Sequence, residues 1–250
     1  MSGLTPKLRF WREVVDESVV IVRPEGRLDS QTYLQLRDSL LKVGVDQPRA
    51  VLVEADRLDV PTGSAWSVLT SARWQLAQWP GVPLVVFAYD TGILETLQRN
   101  GISRYVPCRP TLTTALQAIG DPETRQRATM ALEPVAQSSA IARRFMAETL
   151  TNWGMTSYLD IAAVVGTHLV EETLAKSLAP TLRLEAARDL LWIAVSDLDP
   201  TLPTRHETPH GTDQVAGHGL LAALCRGWGA SPNALGGKVV WTVLGPENRL

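Results

Sequence analysis

The order of apolar runs changes kind near the middle of this 250-residue chain, and that change constrains the fold more than any single motif. Through residue 120, short apolar runs alternate with amphipathic stretches. Residues 19–22 (VVIV), 50–53 (AVLV) and 83–87 (PLVVF) have the length and β-branched content of buried strands. Between them, residues 31–42 set Tyr33, Leu36 and Leu40 on one helical face, with Asp29 or Ser30 placed to cap it. Residues 64–78 do the same with Trp66, Leu69 and Leu76 as core positions, and residues 91–100 with Ile93, Leu94 and Leu97, stopped by Gly101. A brief strand at Tyr105-Val106 and a helix over 112–119, ended by Gly120, complete the half. Strand and helix in short alternation predict an α/β layer with a mostly parallel sheet.

The second half reads differently. Two helices, 140–153 and 157–178, come first, and strands at 182–186 and 190–195 follow, joined by a tight turn at Asp189. A loop rich in Pro, His, Thr and Gly covers 197–217, then a helix at 220–227 and a strand at 238–244 (KVVWTVL). Helices ahead of an antiparallel hairpin predict an α+β sandwich with helices on one face of the sheet. The polar stretch 122–138, with Pro122 and Pro134, reads as a linker, giving domains at 1–121 and 139–250.

Bulk properties exclude several classes. The net charge of −2 shows no basic excess in either half, so nucleic-acid binding is not expected. Cys108 and Cys225 are far apart and outside any CxxC pair, which excludes a disulfide scaffold or cysteine zinc site. No apolar run reaches the roughly 20 residues of a membrane helix, and the first residues lack a signal-peptide core, so a cytoplasmic, non-membrane protein is expected. His206 and His210 form an HxxxH pair, but Pro209 inside it prevents a regular zinc-binding helix; no metal is expected.

The segment VRPEGRLDSQTYLQLRDSL resembles the start of a STAS domain, the fold of anti-sigma-factor antagonists, with Gly26-Arg27-Leu28-Asp29 as the lead into the first helix. Residues 82–120 look like the last third of such a domain. The resemblance covers about residues 8–120 and implies a phosphoacceptor serine in the loop before the second helix. That loop reads Pro61-Thr62-Gly63-Ser64-Ala65-Trp66 here. Ser64 matches the acceptor, Thr62 stands where the family has aspartate, and Ala65 where it has glycine. Ser64 and Thr62 are therefore the candidate acceptors; the bland alternative is that either only caps the helix.

Residues 141–244 resemble the histidine-kinase-like (GHKL) ATPase domains of bacterial anti-sigma factors. The resemblance is carried by IARRFMAETLTNWGM, WIAVSDLDPTLP, AGHGLLAALCRGWG and KVVWTVL. It implies a STAS-like mixed sheet followed by a GHKL-like α+β sandwich. It also implies an Asp for the adenine amino group, a Gly-rich phosphate turn, and a Glu and an Asn on the second helix for proton transfer and Mg²⁺. Asp197 matches the first and Gly217-His218-Gly219 the second. The helix reads His168-Leu169-Val170-Glu171-Glu172-Thr173, so His168 replaces the Glu and Glu172 the Asn, at i and i+4 on one face. Glu172 could still ligate Mg²⁺, but it puts an anion beside a triphosphate. Each position has a plain reading as well: Asp197 as a turn cap, His168 as an ordinary helix histidine, Glu172 as solvated.

These resemblances imply a regulator of a bacterial partner-switching (sigma/anti-sigma) pathway that acts by protein binding, without ordinary kinase activity. Its expected partners are a sigma factor, an anti-sigma factor or an antagonist, with self-association open and the two halves able to bind each other. The alternatives are a nucleotide-binding sensor and a protein-serine kinase, with ATP or ADP and Mg²⁺ as cofactors.

Overall fold

A computed structural model describes residues 7–15, 18–120, 125–203 and 219–248. The chain divides into two compact units, Met1–Pro122 and Glu123–Leu250.

The first unit is built on strands β1 (Arg9–Val15), β2 (Val19–Arg27), β3 (Ala50–Glu54), β4 (Leu58–Asp59), β5 (Leu84–Phe87) and β6 (Cys108–Arg109). The sheet order is β1-β2-β3-β5-β6, with β4 beside β2. Only the β1–β2 hairpin is antiparallel; β2–β3, β3–β5, β5–β6 and β2–β4 are parallel. Helices α1 (Tyr33–Val45), α2 (Ser67–Gln78), α3 (Thr91–Arg99) and α4 (Leu112–Gln117) complete it. Successive strand residues point to opposite faces. Val51, Val53, Leu84 and Val86 accordingly pack with Leu36 and Leu40 of α1, Leu69 and Leu76 of α2 and Leu97 of α3. Leu52, Val85 and Phe87 pack with Ala115 and Ile119 on the other side. Burial of both faces explains why these strands read as unbroken apolar runs.

Three local expectations change. Strand β1 had no signal, because most of its residues are exposed and its polar and apolar positions do not alternate cleanly. The strand expected at Tyr105-Val106 lies three residues later, at Cys108–Arg109, because Ile102–Arg104 forms a 3-10 turn first. The first helix begins at Tyr33, after a turn in which the Asp29 carboxylate accepts the N–H groups of Gln31 (2.9 Å) and Thr32 (3.3 Å).

The second unit is a five-stranded antiparallel sheet, ordered β10-β11-β9-β8-β7. Its strands are β7 (Gln126–Ala131), β8 (Thr181–Ala187), β9 (Leu190–Asp197), β10 (Gly227–Pro232) and β11 (Lys238–Leu244). Helices α5 (Ser138–Asn152), α6 (Leu159–Leu174) and α7 (Gly219–Leu224) accompany them. Leu182, Leu184, Leu191, Ile193, Val195, Val240 and Leu244 point to one face, where Met146 and Leu150 of α5 and Ile161, Val165 and Leu169 of α6 cover them. The hairpin through Asp189 forms as expected, with Ala187 opposite Leu190 and Arg188 at φ 52°.

Two readings of this half are corrected. Residues 126–131, inside the stretch read as linker, form edge strand β7, paired with β8 from Gln126↔Ala186 to Ala131↔Thr181. Gly227, expected to end a helix, opens strand β10; the helix stops at Leu224.

Candidate functional site

The loop that carries the candidate acceptors lies between β4 and α2. Ahead of β4, Asp56 accepts the backbone N–H groups of Tyr89 (3.1 Å) and Asp90 (2.8 Å), tying the β3–β4 connection to the chain just after β5. Thr62 is extended (φ −123°, ψ 117°), and residues Gly63–Trp66 make a 3-10 turn that runs into α2. Trp66 and Ala65 are buried and anchor the turn, whereas Thr62 and Ser64 are exposed. The Thr62 side chain makes no capping hydrogen bond, so the capping alternative fails at that residue. Gly63 fits only because it lacks a side chain: a Cβ there would fall 2.6 Å from Oδ1 of Asn100, whose amide donates to Thr96 O (2.8 Å). The Ser64 hydroxyl is thus offered to solvent at the start of a helical segment.

A second constellation lies in the other unit, where α6 crosses the ends of β9 and β11. Leu169, Glu172, Thr173 and Lys176 come from α6, Val195 and Asp197 from β9, and Lys238 and Val240 from β11; together they line a small pocket. Glu172 and Asp197 line the same pocket. His168 sits half-buried on α6 and is not among the lining residues. Gly219 opens α7. Gly217, His218, His206 and His210, with most of the loop after Asp197, lie outside the described residues.

Asp197 is 6% exposed and saturated. Lys238 Nζ donates to its Oδ1 at 2.9 Å and Oδ2 at 3.0 Å. Asp199 N–H donates to Oδ1 at 2.9 Å, and the Thr173 hydroxyl lies 3.3 Å from Oδ2. Lys238, itself 4% exposed, also reaches Asp199 Oδ2 (3.0 Å), which in turn takes Lys176 Nζ at 2.8 Å. Lys176 beside Asp199 is the main cause that holds the Asp199 carboxyl far below the usual carboxylate range, followed by the Thr201 backbone N–H and by Lys238. The Asp199 carboxylate raises Lys176 in return. Asn233, in the turn between β10 and β11, donates to Asp197 O (2.9 Å) and Lys238 O (3.1 Å) and accepts from Gly237 N–H (2.9 Å). Gly237 must be glycine, since a Cβ would fall 1.9 Å from Asp197 O.

Sequence reasoning missed Lys238, Lys176, Thr173, Asp199 and Asn233. One signal was present: Lys238 is the lone charge at the head of an apolar strand. Only the antiparallel register, with Lys238 directly opposite Asp197, gives it meaning. Neither cysteine is an activated nucleophile; burial pushes both Cys108 and Cys225 up to about 11. Among the described residues no cluster of His, Cys, Asp and Glu has the make-up of a metal site, and no helix is long and apolar enough to cross a membrane.

Residues 11–115 match the family model of the STAS domain. Several solved structures are similar to part of the chain. An anti-sigma factor antagonist from Mycobacterium paratuberculosis is 20% identical over 45% of this chain and 93% of its own, with a TM-score of 0.39. The Bacillus cell fate determinant SpoIIAA in its phosphorylated form is 17% identical over 45% of this chain and 100% of its own, with a TM-score of 0.33. A STAS-domain protein from Planctomyces limnophilus is 19% identical over 46% and 98%, with a TM-score of 0.35. No curated protein matches the chain.

Proposed function

We propose that this chain is a regulator in a bacterial partner-switching pathway, and that it works by binding other proteins. One observation supports the reading: within the residues that match the STAS domain, Ser64 is exposed in the loop that resembles the acceptor loop of anti-sigma-factor antagonists. Ser64 is open to a kinase, and Gly63 beside it packs closely against Asn100. A phosphate there adds roughly −1.5 to −2 charges to the surface beside α2, enough to repel a partner that docks on it. In this reading residues 139–250 are an ATPase-like domain of the anti-sigma type whose metal-side positions, His168 and Glu172, have lost the usual side chains. That half then serves in recognition rather than phosphoryl transfer.

The test is binding of the purified chain to each anti-sigma factor of the source organism, with Ser64→Ala and Ser64→Glu in parallel. Wild type and Ser64→Ala should bind at least one of them equally, and Ser64→Glu should bind it at least about tenfold more weakly. Binding to none, or binding indifferent to the glutamate, would defeat the proposal.

A further inference from the structure

We infer that Lys238 is a built-in occupant of the Asp197 pocket, and that this lysine shuts adenine nucleotides out of the domain. The inference rests on the ATPase-like reading of residues 141–244. In that reading Asp197 should accept from the amino group of an adenine. The structure assigns both of its oxygens to a residue of the same chain: the Lys238 ammonium at 2.9 and 3.0 Å.

Three independent features make this a filled site rather than a passing contact. First, the register of β9 and β11 sets Lys238 directly across from Asp197, so the pairing is written into the sheet. Secondly, the ammonium has no capacity left: two donors reach Asp197 and a third reaches Asp199 Oδ2 at 3.0 Å. Thirdly, among the described residues the space left beside the pair is about 10 Å³, room for one water. Lys238 and Lys176 are shared among the carboxylates of Asp197, Asp199 and Glu172, so the ammonium on Asp197 is held by its surroundings as well. The residues present therefore do not fit a nucleotide. Lys238 is the residue that decides this specificity, because its ammonium takes both oxygens of Asp197, whereas the Asp199 N–H and the Thr173 hydroxyl each reach one.

Calorimetry of the full chain with ATP and with adenosine, with and without Mg²⁺, tests the inference. Wild type should give no binding up to about 1 mM. Lys238→Ala, which empties the space and frees the carboxylate, should bind adenosine. Adding Asp197→Asn to it should abolish that binding. Lys238→Met, which fills the space without the charge, should not bind. Asp197-dependent ATP binding by the wild type overturns the inference. So does a folded Lys238→Ala chain that ignores adenosine, in which case the ATPase-like reading of this half falls with it; anti-sigma factor binding through Ser64 is scored separately. If Lys238→Ala does not fold, acetylation of the wild-type chain followed by mass spectrometry decides. Lys238 should be modified at least tenfold more slowly than the exposed Lys7 and Lys176, and equal rates overturn the inference.

Discussion

At the scale of single residues, the Asp197–Lys238 pair sets the sharpest expectations. Both side chains are almost fully removed from water, at 4% and 6% exposure, so each depends on the other. Lys238→Ala leaves the buried Asp197 carboxylate without its cation and should cost about 3–5 kcal/mol in urea unfolding, whereas Asp197→Ala should cost less, because Lys238 keeps Asp199 Oδ2 at 3.0 Å. The double change to Met at 238 and Leu at 197 should cost less than the sum, since no charge is left stranded. Asp199 gives a pH test with a definite sign. Its folded carboxyl lies far below its ordinary value of 3.8, chiefly through Lys176. Its contribution is therefore fully present above about pH 4 and is lost as pH falls below that value. The stability gap between wild type and Asp199→Asn should be widest near pH 6 and shrink steadily towards pH 2.

At the scale of elements, close approaches decide what the sequence pattern leaves open. Gly63 meets the Asn100 side-chain amide at a distance no Cβ could share, so Gly63→Ala must turn that amide away from Thr96 O or shift the loop. It should destabilise the first unit by about 1–3 kcal/mol, and Asn100→Ala should recover part of the loss. Helices α1, α2 and α3 and strands β2, β3 and β5 were legible because each carries one apolar period over several residues. Strand β7 was not. Its sequence, QRATMA, has an exposed pattern with only Ala128 and Met130 half-buried, and edge strands need no apolar alternation on the solvent side. Its partners confirm its place: buried Glu185 on β8 takes Arg125 at 3.3 Å and Arg127 at 3.8 Å, and the Arg125 guanidinium lies 4.2 Å from the Trp192 ring centroid.

At the scale of the whole molecule, two units each hold a core of their own. A fragment of residues 123–250 keeps β7 on its sheet. A fragment of 139–250, cut at the end of the stretch first read as linker, loses β7, bares the edge of β8 and takes Arg125 and Arg127 away from Glu185. The longer fragment should unfold cooperatively, with a midpoint well above that of the shorter one by circular dichroism. The same reasoning separates the two candidate sites. The Ser64 loop runs straight from β4 into α2 and was singled out by the STAS resemblance, although Gly63 in it packs against the distant Asn100. The Asp197 pocket draws on residues 41 positions apart, and its decisive member escaped the motif.

By itself the sequence determined most of the helices and the apolar strands β2, β3, β5, β8, β9 and β11, the change of architecture near residue 120, the STAS resemblance of the first half and the place of Ser64 ahead of an apolar helix. Each of these depends on periodicity or on adjacent residues, and backbone sterics translate them directly into local structure. Only the tertiary structure decided that β7 closes the second sheet, and that Lys238 rather than an outside ligand faces Asp197. Both follow from strand register, which is set by how whole faces bury against each other and leaves no mark in any short stretch of chain.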